Sequence, residues 1–259
     1  MNQTDHLATP IRRVVLASFI GTTIEWYDYF IYGTAAALVF NKLFFPSLDP
    51  FTGTVAAFGT FAVGFFARPI GGLVFGHYGD KLGRKTMLVT TLVLMGVATF
   101  LIGVLPTHAQ VGVMAPVLLV VLRFIQGFGV GGEWGGAVLM AVEHAHKGRR
   151  GFYASWAQAG VPVGLLLATG VFTLLNAQLT DEQFISWGWR VPFIIGILLL
   201  AVGLYIRLAI LESPLFTKLQ EQEPNRPAPI REVLHKHLRN ILIAMGARFA
   251  ENASFYIFT

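Results

Sequence analysis

The stretch from Val14 to Phe40 reads VVLASFIGTTIEWYDYFIYGTAAALVF and places two carboxylates, Glu25 and Asp28, inside an otherwise uncharged, largely apolar run. As a helix it is about 40 Å long, enough to cross a bilayer with tilt. An ionised acid at the bilayer centre costs about 3 kcal/mol even on lenient insertion scales. Each acid therefore needs a partner, a proton or a water-filled cavity. Three residues apart, they share one helix face, with Tyr29 and Tyr32 close by. About a dozen residues flank them on either side, too many for a position at the lipid interface. The polar face belongs inside a helical bundle.

Composition extends that reading to the whole chain. Of 259 residues, 54% are hydrophobic and only 13% charged, and soluble domains carry about twice that share of charge. Apolar stretches long enough to span recur at 14–40, 55–77, 87–106, 113–142, 152–177, 188–210 and 239–259. The net charge of +5 is spread over short connections between spans, which argues for membrane orientation and against nucleic acid. The chain has no cysteine, so no disulfide framework exists. Polar residues 1–13 precede an overlong apolar stretch that contains acids, which does not read as a secretory signal.

The connections set sidedness. Arg12 and Arg13 precede the first span; Lys81, Arg84 and Lys85 follow the second; Lys147, Arg149 and Arg150 follow the fourth; Arg207 and Lys218 follow the sixth. The alternate connections carry few basic residues, so the N-terminus is expected in the cytoplasm. Trp187 and Trp189 are expected in an aromatic belt on the outer side.

The connection Gly76-His77-Tyr78-Gly79-Asp80-Lys81-Leu82-Gly83-Arg84-Lys85 reads as a tight turn with a positive cluster and one acid. Its spacing resembles the loop signature of the major facilitator superfamily between its second and third helices. More of the chain is similar to the metabolite:proton symporter family within it. The matching segments are Ile24 to Phe30, Phe66 to Gly72, Arg123 to Gly136, Glu212-Ser213-Pro214 and Ala250-Glu251-Asn252. The resemblance implies an all-α membrane protein: a six-helix N-terminal half over 14–210, a cytoplasmic linker over 211–238 and a seventh helix over 239–259. It also implies a cytoplasmic (inner) membrane location and symport of a small metabolite with a proton. The metabolites would be organic acids such as shikimate, citrate or 2-oxoglutarate, or zwitterionic osmolytes such as proline and betaine. The proton is the coupling ion and no cofactor is implied.

Depth along the helices pairs the charges. Arg123 lies about 15 Å from the outer end of its span, Asp28 about 18 Å and Glu25 about 22 Å. Asp28 is thus the better match for Arg123, either as a static ion pair or as a titratable one. Proton-coupled sugar carriers of the superfamily use an acid in helix one and an arginine in helix four. That likeness makes Asp28 the favoured proton carrier and Glu25 the second. Arg68 and Glu133, at about 12 and 15 Å from their cytoplasmic ends, are expected to pair with each other. Glu143 and Arg150 resemble the superfamily's cytoplasmic charge cluster. With Gly76, Asp80, Lys81, Gly83, Arg84 and Lys85 they would form a gate whose exposed ion pairs are each worth about 0–1 kcal/mol. Arg123, Tyr29, Tyr32, Gln126, Trp156 and Gln158 are the candidate substrate contacts, with helix packing as the alternative for the last three.

Gly127-Phe128-Gly129-Val130-Gly131-Gly132 satisfies Gly-x-Gly-x-x-Gly, but no strand precedes it, which excludes a nucleotide fingerprint. Small residues at 127, 131, 132, 135 and 136, with Gly72/Gly76 and Gly160/Gly164, are expected to let helices approach closely. Pro162 is expected to kink its helix. Gly160-Val161-Pro162-Val163-Gly164 departs from the superfamily's antiporter motif and does not argue for exchange. His144 and His146, and His235 and His237, lack further ligands, so no metal site is expected. Ile230, Val233, Leu234 and Leu238 mark one face of a short amphipathic helix in the linker.

Glu251 to Phe258 aligns without gaps on Glu25 to Tyr32, the pattern expected where a second parallel repeat begins. The partners implied are the bilayer, a metabolite, a proton and a C-terminal half of the same transporter. The alternative from another class is a non-transporting regulatory half. An enzyme is disfavoured, since no nucleophile or metal set is apparent.

Overall fold

Local chemistry sets where each apolar stretch becomes a helix and where it stops. A computed structural model of the chain describes residues 10–146, 148–209, 217 and 238–258. Helix α1, Ile11–Ala35, continues through a π turn, Ala36–Phe40, into a short helix, Asn41–Phe44. Helix α2 is Pro50–Leu82, α3 Arg84–Gly103, α4 Met114–His144, α5 Arg150–Gln178, α6 Val191–Leu208 and α7 Leu238–Phe258. Asp49 caps α2 by accepting from the backbone N–H groups of Phe51 and Thr52, each at 3.1 Å. Hydrogen bonds from Thr52, chiefly through its side chain, hold the Asp49 carboxyl below its usual range. At the far end of α3, Arg190 donates to the carbonyls of Gly103 and Leu105 at 2.9 and 2.7 Å. Those carbonyls would otherwise lack partners.

Five described helices are long and apolar enough to cross a membrane: α2, α3, α4, α5 and the segment Gly188–Leu208 that contains α6. Helix α1 is less apolar because it carries the two acids, yet Glu25 is only 6% and Asp28 only 3% exposed. Its polar residues are turned inward, as a buried place in the bundle requires. In α7 the apolar part covers Leu238–Ala247. The expected linker residues Ile230, Val233 and Leu234, like Lys147, Lys218 and Glu212 to Pro214, lie outside the described residues. The side chains of Glu251 and Asn252, on which the repeat was read, are also outside them.

The segment expected as a turn between spans two and three is helical almost throughout. Helix α2 runs to Leu82 and α3 starts at Arg84, so Gly83 alone makes the joint, with φ of 106°. That left-handed conformation strains any residue with a Cβ, which is why one glycine suffices.

Helix α2 packs along α4, α1 along α5, and α3 lies against both α4 and α6. The α2–α4 contact is backbone against backbone. A Cβ at Gly71 would overlap the Phe128 carbonyl, one at Gly127 the Gly64 carbonyl, and one at Gly131 the Arg68 carbonyl. Gly160 and Gly164 of α5 meet the α1 backbone, with Cβ distances of 2.8 Å to Thr23 N and 2.7 Å to Tyr27 N respectively. Gly76 and Gly135, expected at such contacts, face open space. They fall on the exposed side of their helices, a turn beyond the region where α2 and α4 touch.

Trp189 also departs from expectation. It is fully buried beside Phe40, Phe44 and Phe193 in the main aromatic cluster, whereas Trp187 is 48% exposed. The 3-10 turn Gly188–Arg190 rotates Trp189 inward. Only Trp187 keeps the exposure an interfacial belt requires.

A buried ion pair ties α4 to α6. Glu133 accepts both terminal nitrogens of Arg207, Nη1 at 2.8 Å, and also the Thr91 hydroxyl at 3.1 Å. Arg207 Nη1 donates to the Leu88 carbonyl as well. Gly21 of α1 leaves room for the guanidinium, since a Cβ there would overlap Arg207 Nη2. The expected Arg68–Glu133 pair is therefore replaced by Glu133–Arg207. Glu133 points away from α2, because the α2-facing positions on α4 are Gly127 and Gly131.

This packing sets the cost of substitution at each position. Gly71→Ala should lower the thermal midpoint of the purified chain in detergent, with overpacking costing about 1–3 kcal/mol. Gly76→Ala should leave it unchanged or raise it, since Ala is favoured over Gly in a helix by about 1 kcal/mol. Glu133→Gln should destabilise by about 3–5 kcal/mol because it leaves Arg207 buried without a counter-charge. The Glu133→Leu/Arg207→Leu double variant should recover part of that loss.

Candidate functional site

The acids of α1 occupy two levels of the bundle. At the deeper level from the basic end, Asp28 Oδ1 accepts from the Thr99 hydroxyl of α3, and Asp28 Oδ2 accepts from Gln126 Nε2 of α4. Gln126 Nε2 also lies 2.8 Å from Thr99 Oγ1. Gln126 Oε1 accepts from Arg123 Nη1, one turn earlier on the same helix. Asp28, Thr99, Gln126 and Arg123 are each at most 3% exposed.

The guanidinium of Arg123 lies over aromatic rings, 4.2 Å from the Tyr32 centroid and 4.6 Å from that of Phe61. Such contacts favour a desolvated cation by about 2 kcal/mol. Tyr32 and Phe61 stack at 5.6 Å, and the Tyr32 hydroxyl shares a 2.5 Å hydrogen bond with Thr60. Gly64 makes space for the arginine, since a Cβ there would stand 2.8 Å from Arg123 Nε. Among the described residues Arg123 Nε itself has no hydrogen-bond partner. Asp28 and Arg123 thus belong to one network, but Gln126 stands between them. Depth alone had matched the two directly.

Glu25 sits nearer the Glu133–Arg207 pair, and among the described residues its buried Oε2 has no hydrogen-bond partner. The buried Thr22 hydroxyl one turn away has none either. Arg68 of α2 lies over the rings of Phe65 at 4.7 Å and Tyr29 at 6.0 Å. Among the described residues it makes no ion pair. Tyr29 is half-buried among Trp26, Phe30, Phe61 and Phe65. Trp156 is 42% exposed and meets Phe19 and Phe152 edge to face. Gln158 is exposed on the same helix. Of the candidate contacts, Tyr32 and Gln126 are buried within the network, while Tyr29, Trp156 and Gln158 remain accessible.

At the basic end the charge cluster converges across three helices. Arg84 pairs with Glu143 of α4 and lies 4.0 Å from Asp80. Lys85 Nζ donates to the Leu208 carbonyl of α6 at 3.0 Å. Lys81 and Arg150 are exposed, and Gly76 faces open space. Sequence reasoning missed Thr99, a neutral residue in an apolar span, and Arg207. The arginine counted as a basic residue after span six, although its place between Ile206 and Leu208 inside the apolar helix marks it as buried.

The family described as "Sugar (and other) transporter" matches residues 14–240. The chain is 50% identical over 250 residues to the shikimate transporter of Escherichia coli K12, covering 96% of this chain and 57% of that protein. It is 48% identical over 254 residues to the inner membrane metabolite transport protein YhjE of the same organism, covering 97% and 58%. The proline/betaine transporter of Salmonella typhimurium is 39% identical, with 95% and 51% covered. The chain spans about half the length of the curated relatives it matches. Among solved structures, the inward-open xylose transporter XylE from E. coli superposes with a TM-score of 0.70 at 18% identity, over 88% of this chain and 57% of that one. A D-xylose–proton symporter structure gives 0.71 at 20%, over 92% and 56%. Another structure of XylE, described as a major facilitator superfamily proton:xylose symporter, superposes with a TM-score of 0.71 at 18% identity, a likeness of fold. With its bundle, its buried acids and a family match over most of its length, the chain belongs to the sugar (and other) transporter family.

Proposed function

We propose that the chain forms one wall of a proton-coupled symporter for a small metabolite in the cytoplasmic membrane, a second six-helix unit supplying the other wall. The substrate class is an organic acid, in line with the shikimate and metabolite transporters it is similar to. The N-terminus and the basic end face the cytoplasm, as the distribution of arginine and lysine favours.

The observation that supports coupling is the way Asp28 is held. Its oxygens accept from a hydroxyl and an amide, with the arginine one group removed. A carboxylate held by neutral donors can take up a proton without breaking a direct ion pair. Glu25, with a partnerless oxygen, is the second candidate for the proton. Arg68 and Tyr29, with Trp156 and Gln158, are proposed to meet the substrate, since an arginine inside a membrane span marks a functional site and a guanidinium suits a carboxylate ligand. The Arg84–Glu143 pair, backed by Asp80 and Lys85, acts as a latch at the cytoplasmic side.

Uptake into proteoliposomes carrying both six-helix units tests this reading. Asp28→Asn should abolish accumulation driven by a pH gradient while leaving substrate counterflow in place. Unchanged accumulation would remove Asp28 from the proton path. Arg68→Gln should raise the KM for an anionic substrate about ten- to a hundredfold, as loss of a charged hydrogen bond worth about 1.5–3 kcal/mol requires. An unchanged KM would exclude Arg68 from the substrate site.

A further inference from the structure

We propose that Gln126 is a polarity relay: its side-chain amide reports the protonation state of Asp28 to Arg123 by turning over. The inference rests on the reading of Asp28 as the proton carrier. It explains why an amide, and not the arginine itself, touches the acid.

The orientation of the amide is fixed by its neighbours. Arg123 can only donate, so the amide oxygen must face Arg123 Nη1; ionised Asp28 can only accept, so the NH2 must face Asp28 Oδ2. Gln126 is fully buried and no water-exposed alternative exists for either end. Among the described residues its oxygen is the acceptor of Arg123's one hydrogen bond, and Arg123 Nε already lacks a partner. The arginine is therefore held by a single polar contact and by the Tyr32 and Phe61 rings.

A proton arriving on Asp28 inverts this arrangement. The single proton of the Thr99 hydroxyl has two acceptors within reach, Asp28 Oδ1 and the Met95 carbonyl at 2.9 Å; while it points at Oδ1 the new O–H forms on Oδ2. There it meets the Gln126 NH2, donor against donor. A half-turn of the amide about Cγ–Cδ relieves the clash and lets Gln126 Oε1 accept from the protonated acid. The same half-turn aims the NH2 at Arg123, which can no longer bond to it. Arg123 then has no acceptor at its present position and must leave to find one. Deprotonation reverses each step. In low dielectric a mismatched donor pair is costly, so the two orientations are well separated.

The groups that face this network are few. From α4 come Arg123 and, one level away, Glu133; from α2, Arg68; from α6, Arg207; and from α1 itself, Glu25, Tyr27, Tyr29 and Tyr32. Helix α3 contributes the neutral Thr99, its charged Arg84 and Lys85 lying at the basic end. Helix α5 places its Arg150 and Tyr153 at that end too.

The test measures proton-driven accumulation, counterflow and their pH profiles in the protein with both six-helix units. Gln126→Leu should keep counterflow and lose at least tenfold in pH-driven accumulation, with a flattened pH profile. Gln126→Glu keeps the volume and the acceptor for Arg123 but sets a second carboxylate against Asp28. Its uptake profile should move to higher pH, because two adjacent carboxylates share a proton. The Glu variant guards against a Leu variant that fails to fold. If either folded variant shows the wild-type profile and wild-type accumulation, the relay is overturned while Asp28 stands. If Asp28→Asn also accumulates normally, or the wild type shows no proton-driven uptake, the underlying reading falls as well.

Discussion

A carboxylate at mid-depth in a membrane helix must be surrounded by donors, and the arrangement of the bundle follows from meeting that demand for Asp28. Its two donors come from different helices, Thr99 on α3 and Gln126 on α4, so α1, α3 and α4 must converge at one point. Helix α4 can reach that point only by lying almost in contact with α2. The glycines at 64, 71, 127 and 131 permit this by removing Cβ atoms that would overlap a facing carbonyl or guanidinium. In lipid, where apolar surfaces gain little from meeting each other, close backbone packing of this kind is a main source of helix association. The glycine stripe and the buried acid are thus one design seen from two helices.

The two polar levels differ in how completely they are satisfied. Around Glu133 nearly every site is used: two nitrogens of Arg207, the Thr91 hydroxyl and the Leu88 carbonyl close the network. Such a network resists change, since moving any member strands a charge. Around Asp28 the count is looser. Among the described residues Arg123 Nε has no hydrogen-bond partner, and neither has Glu25 Oε2, one turn from Asp28. Unsatisfied buried groups are rare in folded proteins and call for a reason. Here they lie where protons and an arginine are proposed to move, next to a brace that does not.

The spans, the inward acid face and the charge cluster were legible in the sequence because each depends on axial position, which residue counting supplies. The partners were less legible because pairing also needs direction around the helix. Arg68 and Glu133 match in depth, yet Gly127 and Gly131 already mark the α2-facing side of α4, and Glu133 lies well round from them. Used together, depth and the glycine stripe would have excluded that pair. Arg207 was hidden by a different rule: a basic residue near a span's end counts first as a topology signal. Asp28 and Arg123 were matched correctly in depth, but the count could not show that Gln126, one turn from Arg123, fills the space between them. The joint at Gly83 was read as a loop because the signature is rich in glycine and charge; its backbone stays helical on both sides.

The looseness around Asp28 can be felt across the bundle because of what α1 rests on. Helices α1 and α5 meet through Gly160 and Gly164 against the backbone from Phe19 to Tyr27, a nearly flat contact. Flat contacts made of small residues resist separation but offer few interlocking side chains to resist a slide. The α1–α4 contact is the opposite, polar and directional at Ser18, Asp28 and Gln126. A change in the donors of Asp28 therefore alters the constraint that fixes α1, while the α5 face accommodates the shift. The brace at Glu133–Arg207 holds α4 and α6 together meanwhile, and α1 is tied to α6 by the Tyr27 hydroxyl on the Pro192 carbonyl at 2.7 Å and to α2 by Tyr32 and Thr60.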